Sequence, residues 1–355
     1  MCRSLPHPYD RLDRRLTVWR RGANTRSDSW RSADAAGRAE NYTFARHNNV
    51  VAMPWSVECV DDWSTAGLEN QGQHAHDWLK HPSQERTWLF KPARSARDRS
   101  IGEDVAEKLG CEIAGLIGVP AAKVKLATRN GASGALVEDA RLPDWELQLG
   151  QVLMPEVVSE YEPHNPEHVG YNVYNVHRAL ERFTVPPEAT NLPAGFKAFD
   201  AFAGYLLFDA LIAHGDRHDR NWAVITPPPS GPGNEALCAS FDHAASLGFT
   251  LSDEKRERLL NGEGDTVATW ARRGRARRFE HRSGTSPQTL VDLAGSAIAL
   301  CSRRTREFWR DQISSVECGS VSGVVEAAPD LSANTRRFTV ELVMVNRGRL
   351  LNVLR

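Results

Sequence analysis

Lysine, cysteine and long apolar runs are scarce in this chain of 355 residues. The most apolar stretch, 201–213 (AFAGYLLFDALIA), is too short to cross a bilayer and carries Asp209, so we expect no membrane span. No apolar run follows the first arginines, so we expect no signal peptide and a cytoplasmic protein. A hydrophobic content of 41% and a formal net charge of −1 exclude a wholly disordered chain.

The cysteines are dispersed and form no Cys-x-x-Cys pair. They are Cys2, Cys59, Cys111, Cys238, Cys301 and Cys318. Without an export signal, this pattern predicts reduced and mostly buried thiols, and it argues against disulfides or a zinc cluster.

Arginine supplies nearly all of the positive charge, since only seven of the 44 basic residues are lysines. Six arginines crowd the segment Arg272–Arg282 (RRGRARRFEHR). Such a run is typical of a solvated helix face. Docking of an acidic partner is the alternative, with nucleic acid the less favoured choice.

The organisation along the chain predicts an α+β protein in two lobes. Residues 1–50 carry ten arginines and little apolar periodicity, which indicates a basic, poorly structured extension. Residues 51–165 mix strand and helix signals and predict a small N-lobe. Residues 166–355 are dominated by helix signals and predict a C-lobe.

The predicted N-lobe is built around one helix. Apolar residues recur every three or four positions over 102–117, where acidic residues crowd the start and Gly118 ends the helix. Short strands are predicted at 87–91 and 123–128, and Asn130-Gly131 turns the chain into a returning strand at 134–138.

The predicted C-lobe contains a nearly all-apolar helix at 199–213, which we expect to be buried. The other predicted elements are a helix at 172–183, strands at 222–225 and 236–240 flanking a proline-rich loop, one helix at 290–309, and a last helix capped by Ser332 and running through Leu342.

Three polar residues follow the apolar helix in an ordered pattern. Asp216 is followed five positions later by Asn221, then by a strand, a turn and Asp242. This is the arrangement of phosphoryl-transfer enzymes with a protein-kinase-like fold. Asp216 would orient an acceptor hydroxyl and take its proton, while Asn221 and Asp242 would offer oxygens to Mg²⁺. Upstream, Lys91 on a strand and Glu103 at a helix start would supply the ion pair that holds nucleotide phosphates.

Several segments resemble the HipA-like kinase family, bacterial Ser/Thr kinases whose fold is related to that of the phosphatidylinositol 3- and 4-kinases. They are LFKPA, GEDVAEKLGCEIAGLIGVPAAKVKLAT, RNG, LLFDALIAHGDRHDRNWAVI and SFDHAASLG. The resemblance implies ATP, Mg²⁺ and a protein substrate. It implies that Lys91 binds nucleotide with Glu103 as its partner, that Asp216 is the catalytic base, that His218 braces the catalytic loop, and that Asn221 and Asp242 bind the metal.

Two features differ from that family. Where the family has a phosphate-covering loop, residues 67–77 hold only Gly67 and Gly72. Residues 1–50 are too short and polar to supply the N-terminal subdomain of the toxin members, so the resemblance does not extend to a toxin–antitoxin role.

Other functions fit parts of the pattern. His214-Gly215-Asp216 with His218 and Asn221 also matches aminoglycoside-type phosphotransferases and phosphoinositide kinases, so the acceptor could be a small molecule or a lipid. The few glycines at 67–77 leave open a non-catalytic nucleotide-binding scaffold. A metal hydrolase using His214, His218, Asp216 and Asp242 is the least favoured alternative.

Overall fold

The computed structural model describes residues 53–69, 76–96, 99–100 and 102–355. All of them belong to one compact unit, Asn48–Arg355. The predicted extension at 1–50 lies outside the described residues, and so do residues 70–75 of the stretch 67–77 that stands in place of the phosphate-covering loop.

Strands fill the first part of the described chain and helices most of the rest. The strands are β1 Val57–Cys59, β2 Ser64–Glu69, β3 His76–Lys80, β4 Thr87–Pro92, β5 Ser95–Ala96, β6 Arg99–Ser100, β7 Val124–Arg129, β8 Ala132–Glu138, β9 Glu146–Leu149, β10 Ala223–Thr226 and β11 Ala236–Leu237. The helices are α1 Glu103–Leu116, α2 Gly150–Val157, α3 Val173–Ala179, α4 Ala198–Leu211, α5 Asp253–Leu260, α6 Val267–Ala271, α7 Leu290–Leu300, α8 Arg303–Ser314, α9 Cys318–Ala327 and α10 Ala333–Val353.

The main sheet is mixed and has the strand order β1-β7-β8-β4-β3-β2. β1 runs parallel to β7, and the other neighbours are antiparallel. Side chains alternate between the two faces of β4. Trp88 and Phe90 join a buried cluster, whereas Leu89 and Lys91 line a cavity. Strand alternation therefore turns the predicted lysine away from this cluster and into the cavity.

Lys91 lies where the backbones of β4 and β8 approach each other closely. The residue pairs with Ala135 of β8, next to Gly134. A Cβ atom at Gly134 would lie 2.3 Å from the carbonyl oxygen of Lys91, a distance that no side chain could tolerate. Glycine at this position therefore lets β8 and β4 lie together where the lysine enters the cavity.

Helix α1 packs against β7 and β8. Leu109 and Ile113 are buried on its inner face, as the periodicity predicted. The helix begins directly after Gly102, whose φ of 78° lies in the left-handed region that favours glycine. Because the first turn carries Glu103 and Asp104, the acidic start lies at the positive end of the helix dipole.

Helix α4 is the buried centre of the helical part. Of its 14 residues all but Asp200 are buried. At Gly204 a Cβ atom would lie 2.1 Å from the Trp309 ring, so glycine is required for α8 to pack this closely. The predicted buried helix is thus confirmed, and its end delivers the chain to the segment that carries Asp216.

Several predicted boundaries were wrong. The single helix expected over 290–309 is two helices, because Ser302 caps α8 by accepting a hydrogen bond from the Thr305 backbone while Cys301 is extended. The helix expected to end near Leu342 continues to Val353, with Ser332 as its cap. The helix predicted over 172–183 ends at Ala179.

The arginine-rich segment Arg272–Arg282 is not a helix face. Helix α6 ends at Ala271, and the segment continues as turns with one bridge from Arg275 to Thr289. The prediction of mostly buried thiols was also wrong in the described part, where Cys238 and Cys301 are buried, Cys111 is intermediate, and Cys59 and Cys318 are exposed. All five are free thiols.

None of the helices in the described ranges combines the length and apolar character that a bilayer crossing requires.

Candidate functional site

The six side chains predicted to carry the chemistry line one cavity of about 1180 Å³. They are Lys91, Glu103, Asp216, His218, Asn221 and Asp242. The cavity is bordered by β4, by the start of α1, by the segment that follows α4 and by the segment that follows β11. Residues from four distant parts of the sequence therefore meet at one place.

Lys91 is the centre of an ionic cluster. Its Nζ donates to Oδ1 of Asp242 at 2.7 Å and to Oε2 of Glu107 at 3.4 Å. Burial opposes the charge on Lys91, but the carboxylates of Asp242 and Glu107 outweigh that effect and raise the pKa of the lysine above its usual value. Lys91 is therefore a permanent cation, and in turn it lowers the pKa of Asp242 below the usual range.

The glutamate beside Lys91 is not the one that the sequence predicted. Glu103 accepts hydrogen bonds from Arg94 at the cavity edge. Glu107, one helical turn further on, is 1% exposed and lies next to the lysine. Four residues advance an α-helix by about 6 Å along the same face. Lys91 lies beside the second turn of α1, so the pairing predicted for Glu103 is made by Glu107.

Glu107 also holds the segment that carries Asp242. Its Oε1 accepts a hydrogen bond from the backbone N–H of His243 at 2.7 Å. The His243 ring is buried, and its Nε2 lies 2.7 Å from Oγ of Ser240. Asp242 itself has a φ of 62°, a left-handed conformation that is uncommon outside glycine. One carboxylate thus contacts the lysine on β4 and fixes the backbone that positions Asp242.

A buried ion pair shapes the segment between α4 and β10. Arg217, which is 2% exposed, donates to both carboxylate oxygens of Asp209, at 2.9 and 2.7 Å. The same guanidinium donates to the carbonyl oxygen of Asn221 at 2.6 Å and to Oγ of Ser240 at 2.9 Å. Arg217 therefore joins the segment with Asp216 to the segment with Asp242.

The backbone carbonyl of Asp216 accepts two hydrogen bonds within the segment. One comes from the His218 backbone N–H at 2.8 Å, and the other comes from Nδ2 of Asn221 at 2.8 Å. Because the amide nitrogen of Asn221 is used in this bond, its orientation is set and its oxygen is the group left to accept a ligand. The Asn221 side chain is thus bonded directly to the backbone of Asp216.

His218 lies beside the Asp216 carboxylate without a hydrogen bond to it. Its Nε2 is 3.9 Å from Oδ2 of Asp216, while its Nδ1 accepts from the Arg220 backbone N–H at 3.1 Å. Burial lowers the pKa of His218, and Asp216 opposes this only in part. The hydrogen bond from Arg220 ties the His218 ring to the backbone of its own segment.

The side chain of Asp216 has a partner that the sequence did not predict. Oδ1 of Asp216 accepts a hydrogen bond from Nε of Arg278 at 2.5 Å. Arg278 belongs to the arginine-rich segment, 62 residues further along the chain, and it lines the same cavity.

The residues named for a metal hydrolase do not assemble into such a site in the described part of the chain. His214 is fully buried, and its Nδ1 lies 3.1 Å from Asp209. No three His, Cys, Asp or Glu side chains of the described residues are grouped as a metal site. The imidazole of His214 instead supports the ion pair of Asp209 and Arg217.

The fold is similar to that of a solved kinase structure. The crystal structure of a Helicobacter pylori proinflammatory kinase, CtkA, aligns with a TM-score of 0.57 and 13% identity, over 84% of this chain and 97% of that chain. At this identity the similarity shows a shared fold. A Shewanella oneidensis MR-1 toxin–antitoxin complex of HipA, HipB and operator DNA aligns over 88% of this chain and 67% of that chain, at 13% identity. Its TM-score of 0.33 is too low to support an argument. No protein-family model and no curated protein matches this chain.

Proposed function

We propose that this protein is an ATP- and Mg²⁺-dependent phosphotransferase, and specifically a HipA-like protein Ser/Thr kinase. The observation that carries the proposal is the position of Lys91, which is bonded to Asp242 and Glu107 in a cavity that also holds Asp216 and Asn221. The fold shared with a solved structure described as a kinase supports it. In this proposal residues 51–165 and 166–355 act as two lobes on either side of the nucleotide.

The side chains suit a nucleotide with its cation. Lys91 offers a permanent positive charge to phosphate oxygens. Asn221 and Asp242 line the same cavity and present oxygen donors, which are the ligands that Mg²⁺ prefers. A bound Mg²⁺ would neutralise negative charge on the phosphates during transfer. Two protein ligands are enough, because this ion commonly takes its remaining ligands from phosphate and water.

Asp216 is assigned to the acceptor. Its carboxylate would orient the acceptor hydroxyl and take the hydroxyl proton, while the acceptor oxygen bonds to the γ-phosphorus and the bond to the leaving ADP oxygen breaks. His218 and Asn221 contribute by fixing the backbone of Asp216, through the two hydrogen bonds to its carbonyl oxygen.

The proposal is tested by incubating the protein with γ-labelled ATP and Mg²⁺ in host lysate. Label in a protein, lost with a chelator and lost in Asp216→Asn, would support a protein kinase. Absence of both nucleotide binding and transfer would reject the proposal.

A small-molecule or lipid acceptor is the second candidate, because residues 214–221 match those kinases as well. Label that appears in the small-molecule or lipid fraction instead of in protein would select it. Mg²⁺-dependent ATP binding without transfer to any fraction would favour the nucleotide-binding scaffold.

A further inference from the structure

Arg278 is a cavity residue that the proposed chemistry leaves unused. Its guanidinium is bonded to Asp216, the residue assigned to the acceptor, at 2.5 Å. The Arg278 side chain is 47% exposed and the Asp216 side chain is 32% exposed, so both are open to an incoming molecule. Lys91, in contrast, contacts Asp242 and Glu107 and not Asp216.

The fold fixes Arg278 at this position. The next residue, Phe279, is buried and stacks on Tyr171 with ring centroids 4.5 Å apart. Ala276 is also buried, and its backbone N–H donates to the carbonyl oxygen of Gln288 at 2.9 Å. Tyr171 in turn donates from its hydroxyl to the carbonyl oxygen of Arg217, next to Asp216. The residues around Arg278 are therefore anchored to the segment that carries the proposed base.

Further positive charge surrounds this end of the cavity. Arg220 is exposed and lines the cavity. The positive charges of Arg220 and Arg278 both lower the pKa of His218. Arg272, Arg277 and Arg282 of the same segment are also exposed. Within the described residues, none of these three arginines nor Arg220 forms an ion pair with a carboxylate. Exposed arginines without an ion pair thus lie on the same segment as Arg278.

We propose that Arg278, with Arg220 beside it, binds acidic side chains of the phosphate acceptor, and that this acceptor is a peptide segment with Asp or Glu next to its hydroxyl residue. This inference rests on the proposed kinase function. An acceptor hydroxyl that takes Oδ1 of Asp216 would displace Arg278 from that oxygen. An acceptor carboxylate gives the guanidinium a replacement partner of the same chemistry, which a neutral acceptor does not offer.

An extended acidic peptide fits this surface better than a nucleic acid does. Proteins that bind single-stranded nucleic acid usually combine positive charge with exposed aromatic rings on which bases stack. In Arg272–Arg282 the phenyl ring of Phe279 is buried against Tyr171 and is not available for stacking. The exposed groups of the segment are mainly guanidinium groups, which pair well with carboxylates.

The test compares two fluorescent peptides, a serine flanked by three glutamates on each side and the same peptide with glutamines. Binding is followed by anisotropy without ATP at low salt, and transfer is followed with ATP and Mg²⁺. We expect wild type to prefer the glutamate peptide by about tenfold or more, the scale of a charged hydrogen bond. Arg278→Ala should reduce this preference to about twofold, and Arg278→Lys should restore part of it, because it keeps the charge without the planar fork.

Arg310→Ala is the matched control, since Arg310 is an exposed arginine on α8, outside the cavity and outside the arginine-rich segment. It should keep the glutamate preference. Equal binding of both peptides by wild type, or equal losses in Arg310→Ala and Arg278→Ala, would overturn the proposal.

Two further arms separate other occupants. If Arg278→Ala weakens binding of an ATP analogue as much as binding of the glutamate peptide, Arg278 is a nucleotide contact and the proposal is wrong. It is also wrong if a single-stranded oligonucleotide binds through Arg278 while the glutamate peptide does not. Because the anisotropy arm needs no ATP, glutamate-selective binding without any phosphate transfer would support the acidic site and count against the kinase.

Discussion

Lys91 and Asp242 lie 151 residues apart in the sequence, and the lysine Nζ donates to the aspartate Oδ1 at 2.7 Å. The same lysine contacts Glu107 at 3.4 Å, so β4, α1 and the segment after β11 are joined by one cation. Phosphate oxygens of a bound nucleotide would compete with Asp242 and Glu107 for the Lys91 ammonium group. The cluster is therefore where nucleotide binding is most directly tested.

The first prediction concerns Lys91→Ala. Charged hydrogen bonds are worth about 1.5–3 kcal/mol, so we expect ATP affinity or turnover to fall by about 10–100-fold. Binding of a fluorescent ATP analogue and initial rates of transfer would measure the two effects. Lys80→Ala, at an exposed position on the neighbouring strand β3, is the matched control and should behave like wild type. Unchanged ATP binding and transfer in Lys91→Ala would exclude Lys91 from the nucleotide site.

The second prediction separates the two glutamates of α1. Glu107→Gln removes a negative charge beside Lys91 and weakens the contact that holds the His243 backbone. We expect transfer to fall by about tenfold, the lower end for a charged hydrogen bond. Glu103→Gln loses only a partner of the half-exposed Arg94, an interaction worth about 0–1 kcal/mol at a protein surface. Steady-state rates of both variants check this, and a larger loss in Glu103→Gln would restore the pairing that the sequence predicted.

Local sequence patterns predicted β4 and α1 closely. The strand at 87–91 and the helix at 102–117 differ from β4 and α1 by one residue or less at each end. The choice between Glu103 and Glu107 was not local. Both residues are helical and acidic, and which one meets Lys91 depends on how far α1 has advanced across the sheet.

Long-range partners were the part that the sequence did not predict. Arg278 reaches Asp216 because Phe279 is buried against Tyr171, and neither contact has a signal in the charge pattern of the arginine-rich segment. The break between α7 and α8 was hidden for a related reason. Cys301-Ser302 contains no proline or glycine, and Ser302 shows its capping role only once the second helix is known to begin there.

Arg217 was passed over although a signal was present. Asp209 is an acidic residue within a nearly all-apolar helix, and a buried carboxylate needs a charged partner. Arg217 lies eight residues later in the chain and supplies that partner. The pair could have been predicted from the sequence by asking which nearby cation neutralises Asp209.

The third prediction concerns this buried ion pair. Asp209→Asn leaves the Arg217 guanidinium, 2% exposed, without its counter-charge. Removing one partner of a buried pair costs about 3–5 kcal/mol, so the free energy of unfolding should fall by that amount. Urea unfolding would measure it. The double variant Asp209→Leu with Arg217→Met should lose less than the sum of the two single losses, because it leaves no unpaired charge. Additive losses would contradict a direct interaction.

The same pair has a defined pH dependence. Burial alone would raise the pKa of Asp209, but the Arg217 guanidinium and His214 lower it below its usual range. A carboxylate whose pKa is lowered on folding binds fewer protons in the folded state. Its contribution to stability is therefore complete above the unfolded pKa of about 3.9 and is lost as the pH falls below that value. Unfolding curves of wild type and Asp209→Asn should converge as the pH falls below 4, and a constant difference down to pH 2 would contradict this assignment.

The last prediction concerns the division of labour between the two aspartates. Asp216 is assigned to the acceptor hydroxyl, so Asp216→Asn should leave Mg²⁺-dependent nucleotide binding nearly intact and cut transfer by about 10²–10⁴-fold, the usual scale for loss of a general base. Asp242 is assigned to the metal, so Asp242→Asn should cut transfer at least as much and also weaken the Mg²⁺ dependence of binding. Asn221→Ala should resemble Asp242→Asn but be milder, since a neutral ligand is lost.

These variants are compared by titrating Mg²⁺ at a fixed concentration of an ATP analogue, with transfer measured in parallel. Asp311→Asn, an exposed position on α8 outside the cavity, is the matched control for replacing an aspartate and should match wild type in both measurements. Loss of metal-dependent binding in Asp216→Asn together with its retention in Asp242→Asn would mean that the two roles are exchanged. If neither substitution affects binding or transfer, the roles assigned to Asp216 and Asp242 are wrong and the ionic cluster around Lys91 is a structural feature.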